Sequence, residues 1–222
     1  KFEVLGLMMH NEHLEKKFGV GFHTISVPRL RPAEGVTLET FPHLLDDDMF
    51  KKIVAIIRLA VPYTGMILST REEAEVRQEL LEYGISQVSA GSCTGVGGYE
   101  EAANGRNIDQ FEKADERTPI EVIEDLIDRG YVPSYCTACY RTGRTGEKFM
   151  NIAKSEEIHY MCKPNALTTL MEYAVDYGDE RFLEKAENFV REQASTIDRE
   201  DIREFILGNI EKLKKGERGL II

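Results

Sequence analysis

Gly65-Met66-Ile67-Leu68-Ser69, then Thr70-Arg71-Glu72-Glu73, then Ile85-Ser86-Gln87-Val88-Ser89-Ala90 is the stretch that decides the fold. A short unbroken apolar run, a polar break, a helix-length segment and a second apolar run make one strand–helix–strand unit. Thr70 with Glu73 three residues on predicts a capping box that opens a helix to Tyr83, and Gly84 predicts its stop. A crossover of that length joins parallel strands, because antiparallel neighbours need only a tight hairpin.

The same rhythm extends upstream. Leu5, Met8, Met9, Leu14 and Phe18 form a helical stripe ending at Gly19, and residues 21–27 (GFHTISV) read as a strand stopped by Pro28. Arg29-Leu30-Arg31-Pro32 is a loop. Asp46-Asp47-Asp48 place negative charge where a helix N-terminus favours it, and Met49 to Ala60 carry an apolar face. Helix and strand in alternation three times over predict an α/β architecture with parallel strands, in an open or a closed sheet.

Downstream of the loop Gly91 to Gly98 the rhythm breaks. Residues 100–117 read as polar and irregular, and Thr118-Pro119-Ile120-Glu121 supplies a cap, a proline at the first helical position and an N3 glutamate. That helix is expected to end at Gly130. Asn165 is expected to cap a helix to Tyr177, with Asp179 and Asp198 opening two more. Residues 118–222 are therefore expected to be mainly helical.

Composition bounds the function. The chain has 222 residues, 42% hydrophobic and 30% charged, enough for one sizeable core and a smaller unit. A net charge of −11 argues against nucleic acid or an anionic membrane as partner. No apolar run approaches the roughly 18 residues of a membrane span. The chain starts at Lys1 inside an apparent helix, without Met, so it is expected to be part of a longer protein.

Three of the four cysteines fall in one spaced set, Cys136-Thr137-Ala138-Cys139 and Cys162, written C-x2-C-x22-C. That set points to metal ligation in a reducing cytoplasm rather than to disulfides. Three thiolates are one short of the four that a structural zinc or an ordinary cubane takes. Two readings stay open on spacing: His159, one turn before Cys162, completes a zinc site, or an iron–sulfur cluster keeps one position free of protein. Cys93 stands apart as a buried or loop thiol. Gly95-Val96-Gly97-Gly98 looks like a phosphate-cradling loop, but no Lys-Ser/Thr follows it.

A second set lies at strand ends. Arg29 and Arg31 follow the first strand, Arg71 the second, and Ser89 and Ser92 the third. Carboxyl ends of parallel strands build active sites, and arginine there clamps carboxylates. His23 sits at the start of its strand, at the opposite end from those arginines. His10 and His13, at i and i+3, have chelate spacing.

Together, His23-Thr24-Ile25-Ser26-Val27-Pro28-Arg29-Leu30-Arg31-Pro32, Ser69-Thr70-Arg71-Glu72, Ser89-Ala90-Gly91-Ser92 with Gly97-Gly98-Tyr99, and C-x2-C-x22-C resemble HydG. These are the radical S-adenosylmethionine (SAM) tyrosine lyases that mature [FeFe]-hydrogenase, related to the thiazole-synthesis tyrosine lyase. The resemblance covers essentially the whole chain. It implies the last three β/α units of a (β/α)8 radical-SAM barrel over residues 1–99 and a helical cluster-binding domain over 100–222. The C-x3-C-x2-C signature of the SAM-cleaving cluster is absent from these residues. The chain is therefore expected to be the C-terminal half of such an enzyme, inactive alone, with the missing N-terminal half of the barrel as its partner.

The resemblance also implies the chemistry. In the intact enzyme, SAM and a second [4Fe-4S] cluster start the cleavage of tyrosine to p-cresol and dehydroglycine. The small fragment then becomes CO and cyanide at an auxiliary [4Fe-4S] cluster carrying an additional labile iron, for use by other hydrogenase maturation proteins. Cys136, Cys139 and Cys162 would hold the auxiliary cluster and His23 the extra iron. Arg71 and Ser89 would hold tyrosine, and Arg29 or Arg31 the SAM carboxylate. The rival reading is a non-catalytic zinc-stabilised binding module on an α/β scaffold.

Overall fold

The computed structural model of the chain describes residues 1–33, 35–105, 109–155 and 157–222, with Glu157 described by its backbone alone. Those residues form two compact units, Lys1–Pro119 and Ile120–Ile222.

In the first unit, α1 (Phe2–Phe18), β1 (Thr24–Ser26), α2 (Asp47–Ala60), β2 (Gly65–Leu68), α3 (Ala74–Glu82) and β3 (Gln87–Val88) follow in order. The strands form one parallel sheet in the order β1-β2-β3, with Ile25 opposite Met66 and Leu68 opposite Val88. Ile25, Met66 and Leu68 are buried in a single cluster with Phe50, Val54 and Ile57 of α2 and Leu80 of α3. Both crossover helices thus cover the same face of the sheet. A doubly wound sheet would place helices on both faces, whereas helices kept to one face fit part of a barrel wall. The α/β architecture with a small parallel sheet is as expected.

Local chemistry explains the boundaries. Asp46 caps α2 by accepting the Met49 amide at 2.7 Å. Gly19 ends α1 in the left-handed region at φ 74°. Gly84, at φ 103°, lies so near Arg58 that an added Cβ would sit 2.5 Å from its Cγ. That close approach lets Arg58 bond the Gly84 carbonyl through Nε at 2.9 Å and Nη2 at 2.7 Å, with Nη1 on Thr64 at 2.8 Å. One arginine thereby joins the loops that enter β2 and β3.

Three expectations are corrected here. Thr70 caps nothing: Glu73 takes the N-cap position of α3, and the Thr70 carbonyl instead accepts the Ala114 and Asp115 amides at 3.0 and 3.1 Å. The strands are shorter than the apolar runs, because pairing ends where the chain turns out to the loops. Residues 100–117 are not wholly irregular, since α4 (Gly98–Ala103) occupies part of them; residues 106–108 of that stretch lie outside the described residues.

The second unit holds α5 (Pro119–Asp128), α6 (Ala138–Arg141), α7 (Glu147–Ala153), α8 (Glu157–Tyr177), α9 (Glu180–Ser195) and α10 (Glu200–Lys214). Leu167, Leu170, Met171 and Ala174 of α8 pack with Phe182, Val190, Ile206 and Ile210 in one buried core. Asp179 caps α9 through the Phe182 amide at 2.7 Å, whereas Arg199 and not Asp198 holds the N-cap position of α10. Asn165 does not start a helix. It lies inside α8, beside an internal Pro164, and its Oδ1 accepts the Ile222 amide at 2.9 Å. A proline inside a helix costs ~3 kcal/mol, which the burial of four core residues on the following turns offsets.

Candidate functional site

The carboxyl edge of the sheet is built by four arginines with different fates. Arg29, just past β1, bonds both carboxylate oxygens of Glu72 through Nε at 3.2 and 3.1 Å, and its Nη1 meets Asp47 at 2.7 Å and the Leu45 carbonyl at 3.1 Å. Its guanidinium also lies 4.6 Å over the Phe50 ring. Glu72 is 1% exposed, so this pair welds the loop after β1 to the loop after β2. Arg29 therefore has its donors committed within the protein.

Arg71, past β2, differs. Among the described residues its guanidinium meets no carboxylate and rests 4.0 Å over the ring of Phe111. A cation held over an aromatic face keeps its in-plane N–H fork available for a bidentate acid. Arg31 carries a buried Nε with no hydrogen-bond partner. Ser89, past β3, gives its amide to the Leu68 carbonyl at 3.1 Å, and its own carbonyl accepts from Arg77 Nη2. The Ser92 carbonyl accepts Lys113 Nζ at 3.0 Å.

Arg77 is the residue that sequence reading missed. It is 2% exposed on α3 and forms an ion pair with Asp115, itself 3% exposed. Asp115 also takes Arg117 through Nε at 2.9 Å and Nη2 at 2.7 Å. Burial pushes the Asp115 carboxyl up, but the Arg117 hydrogen bonds and the Arg77 charge more than offset it, leaving the group below its usual range. In sequence Arg77 has the spacing of an ordinary helix-surface arginine; only the partner thirty-eight residues on marks it.

In the second unit the cysteine turn is short-range structure. The Cys136 sulfur accepts the Ala138 amide at 3.4 Å, and α6 starts at that alanine. Cys162 comes from α8. Burial raises the Cys162 thiol, the neighbouring Cys139 and Cys136 raise it further, and the nearby Arg144 lowers it. The two segments therefore bring all three thiols within electrostatic reach of one another, each half-buried and none in a disulfide. Among the described residues no three or more His, Cys, Asp or Glu side chains are placed so that they could hold a metal ion. His159 is exposed one turn upstream of Cys162.

In donor type the three half-buried thiols are those an iron–sulfur group takes, and a buried guanidinium nitrogen, Arg144 Nε, lies near them without a partner. His23 belongs to the first unit. It is exposed at the amino end of β1, and its Nδ1 lies 3.0 Å from Thr24 Oγ1. His10 and His13 are exposed on α1, with the His10 ring tilted against Phe22 at 5.6 Å. No helix among the described residues is long and apolar enough to cross a membrane.

The matches to known proteins are of three kinds. Residues 26–132 match the family described as the Biotin and Thiamin Synthesis associated domain. The 2-iminoacetate synthase of Escherichia coli K12 is 32% identical over 120 residues, covering 54% of this chain and 31% of the relative. Its counterpart from Salmonella typhimurium LT2 is 32% identical over 125 residues, covering 55% and 32%. The chain thus spans about a third of the length of these curated relatives. A crystal structure of HydG, a maturase of the [FeFe]-hydrogenase, superposes with a TM-score of 0.94 at 50% identity, covering 100% of this chain and 48% of that one. HydG from Carboxydothermus hydrogenoformans superposes with a TM-score of 0.72 at 38% identity, covering 94% and 44%.

Proposed function

We propose that this chain, HydG-like over its whole length and matching the C-terminal part of the HydG radical-SAM fold, is the auxiliary-cluster half of a radical SAM tyrosine lyase. The whole protein would cleave tyrosine to p-cresol and dehydroglycine, and the fragment would go on to CO and cyanide for hydrogenase assembly. The curated relatives are named for 2-iminoacetate, the same compound as dehydroglycine, which supports the first half of that reading. The observation that carries the proposal is the superposition of the whole chain on HydG at a TM-score of 0.94 and 50% identity.

On this reading the three cysteines hold a [4Fe-4S] cluster, which supplies an iron free of protein sulfur and able to bear a second, labile iron. His23 is the protein ligand proposed for that second iron. Arg71 grips the tyrosine carboxylate, held in place by Phe111. Ser89 meets the substrate amine from the end of β3, where Arg77 and Asp115 fix its backbone. Between the two arginines proposed for SAM, Arg31 keeps a free buried nitrogen, while Arg29 bonds Glu72 and Asp47.

Anaerobic reconstitution with iron and sulfide tests this. One cluster per chain is expected, with a brown absorbance lost in Cys139→Ser. A chain that takes one equivalent of colourless zinc and refuses iron and sulfide overturns the reading in favour of a structural zinc module. His23→Ala is expected to keep the cubane and lose the additional iron; an unchanged iron count removes His23 from that role.

A further inference from the structure

Arg144 sits in the turn Arg141-Thr142-Gly143-Arg144-Thr145-Gly146, between two glycines in the left-handed region at φ 68° and 58°. Its backbone is tied to the cysteine turn, because its amide donates to the Cys139 carbonyl at 2.8 Å. Its side chain runs to α8, where Nη1 lies 4.0 Å from the sulfur of Met161, the residue before Cys162. Nη2 donates to the Ile222 carbonyl at 3.2 Å.

A guanidinium anchored at both cysteine segments, with one donor buried and unused, is an expensive arrangement. Burying a donor without a partner is destabilising, and more so for a charged group. Arg141, three residues earlier, shows the contrast. It is exposed, and its Nη1 donates to the Gly219 carbonyl at 3.0 Å, an ordinary anchor for the chain's last residues. Tail anchoring does not explain why Arg144 turns Nε inward.

We infer that Arg144 is the counter-cation of the thiolate metal centre, its Nε donating a hydrogen bond to sulfur of the bound group while its charge offsets the negative thiolates. Hydrogen bonds to sulfur and nearby positive charge are the protein's means of setting the potential of such centres. The inference rests on the proposed cluster for the identity of the group, but not for the role of the arginine, since any thiolate-bound metal carries the same negative charge. Arg144 touches no substrate; it is a positioning and charge-setting residue.

The test uses the full chain. Cobalt(II) is titrated into the metal-free protein and followed by its thiolate charge-transfer band, and the midpoint potential is measured after reconstitution with iron and sulfide. Arg144→Gln is expected to weaken cobalt(II) binding ~10-fold or more and to shift the potential to more negative values. Arg144→Lys, which keeps the charge, is expected to recover at least half of the potential shift. Arg141→Gln, which loses only a tail contact, is expected to match the parent in both.

Arg144→Gln with cobalt(II) affinity within twofold of the parent and an unmoved potential overturns the inference. So does an Arg141→Gln as impaired as Arg144→Gln, or a loss in Arg144→Gln accompanied by a fallen helical circular dichroism signal that Arg144→Lys shares. If the parent refuses iron and sulfide yet binds cobalt(II), the cluster reading fails, while the cobalt(II) affinities still decide the role of Arg144.

Discussion

Arg77 and Asp115, thirty-eight residues apart in sequence, meet as a buried ion pair beneath the carboxyl end of β3. Arg77 adds a bond to the Ser89 carbonyl, and Asp115 adds two to Arg117. The pair therefore connects α3, the end of β3 and the segment leading into α5. It is the framework on which the residues of that edge stand.

Removing one partner should be costly. Asp115→Asn leaves the Arg77 guanidinium buried beside a neutral amide, and breaking such a pair costs about 3–5 kcal/mol. Urea unfolding of the two proteins at neutral pH is expected to show that difference. A change below about 1 kcal/mol would reduce the pair to the worth of a surface bridge.

The same carboxylate gives a pH dependence of known sign. Its folded pKa lies below the ordinary 3.8, so the unfolded chain takes up the proton first as pH falls. The stabilisation is present above 3.8 and is lost as pH drops through the folded value. The stability gap between parent and Asp115→Asn should accordingly be constant from pH 7 to 5 and shrink below pH ~4.

Arg29 and Arg71 should separate structure from binding. Arg29→Ala strands Glu72, which is 1% exposed, and is expected to lower stability by about 3 kcal/mol. Arg71→Ala loses only a stack on Phe111, worth about 0.5–1 kcal/mol. In the intact protein it should nonetheless weaken tyrosine binding ~10- to 100-fold, the cost of about 1.5–3 kcal/mol for a charged hydrogen bond. Calorimetry with tyrosine and thermal melts of both variants check the split. Equal melts and equal binding would remove the distinction.

Beside the cysteine turn, Tyr135 stacks on Tyr173 with ring centroids 4.7 Å apart, and Tyr173 in turn meets Tyr177 at 4.9 Å. Burial, then Tyr173, pushes the Tyr135 phenol up to about 12. An ultraviolet phenolate titration should show one tyrosine ionising near that value, with Tyr173→Leu bringing it down. Because the neutral form is favoured in the folded state, this phenol supports the fold below pH 10.0 and opposes unfolding less as pH rises beyond it.

Much of the chain was legible as sequence. Apolar period and helix-end chemistry mark α1, α2, α5 and α9 within a residue or two, because an N-cap aspartate or a left-handed glycine acts on its own turn and needs no distant partner. The cysteine spacing singles out the proposed ligand set for the same reason, since two thiols from one turn are a local fact. Thr70 and Asn165 misled because the same side chains can cap a helix or bond elsewhere. Here the Thr70 carbonyl joins the segment at Ala114 and Asp115, while Asn165 holds Ile222.

Tertiary structure decided the rest. Which face of the sheet the crossover helices cover follows from where Phe50, Val54, Ile57 and Leu80 pack, and strand order does not contain that information. Whether an arginine at a strand end is spent or available depends on partners far away in sequence. Glu72 and Asp47 occupy Arg29, Phe111 leaves the fork of Arg71 open, and the unmatched Nε of Arg144 becomes visible only once Cys139 and Met161 are placed around it. Charge pairing is a property of distance in space, and a linear pattern of residues records only distance along the chain.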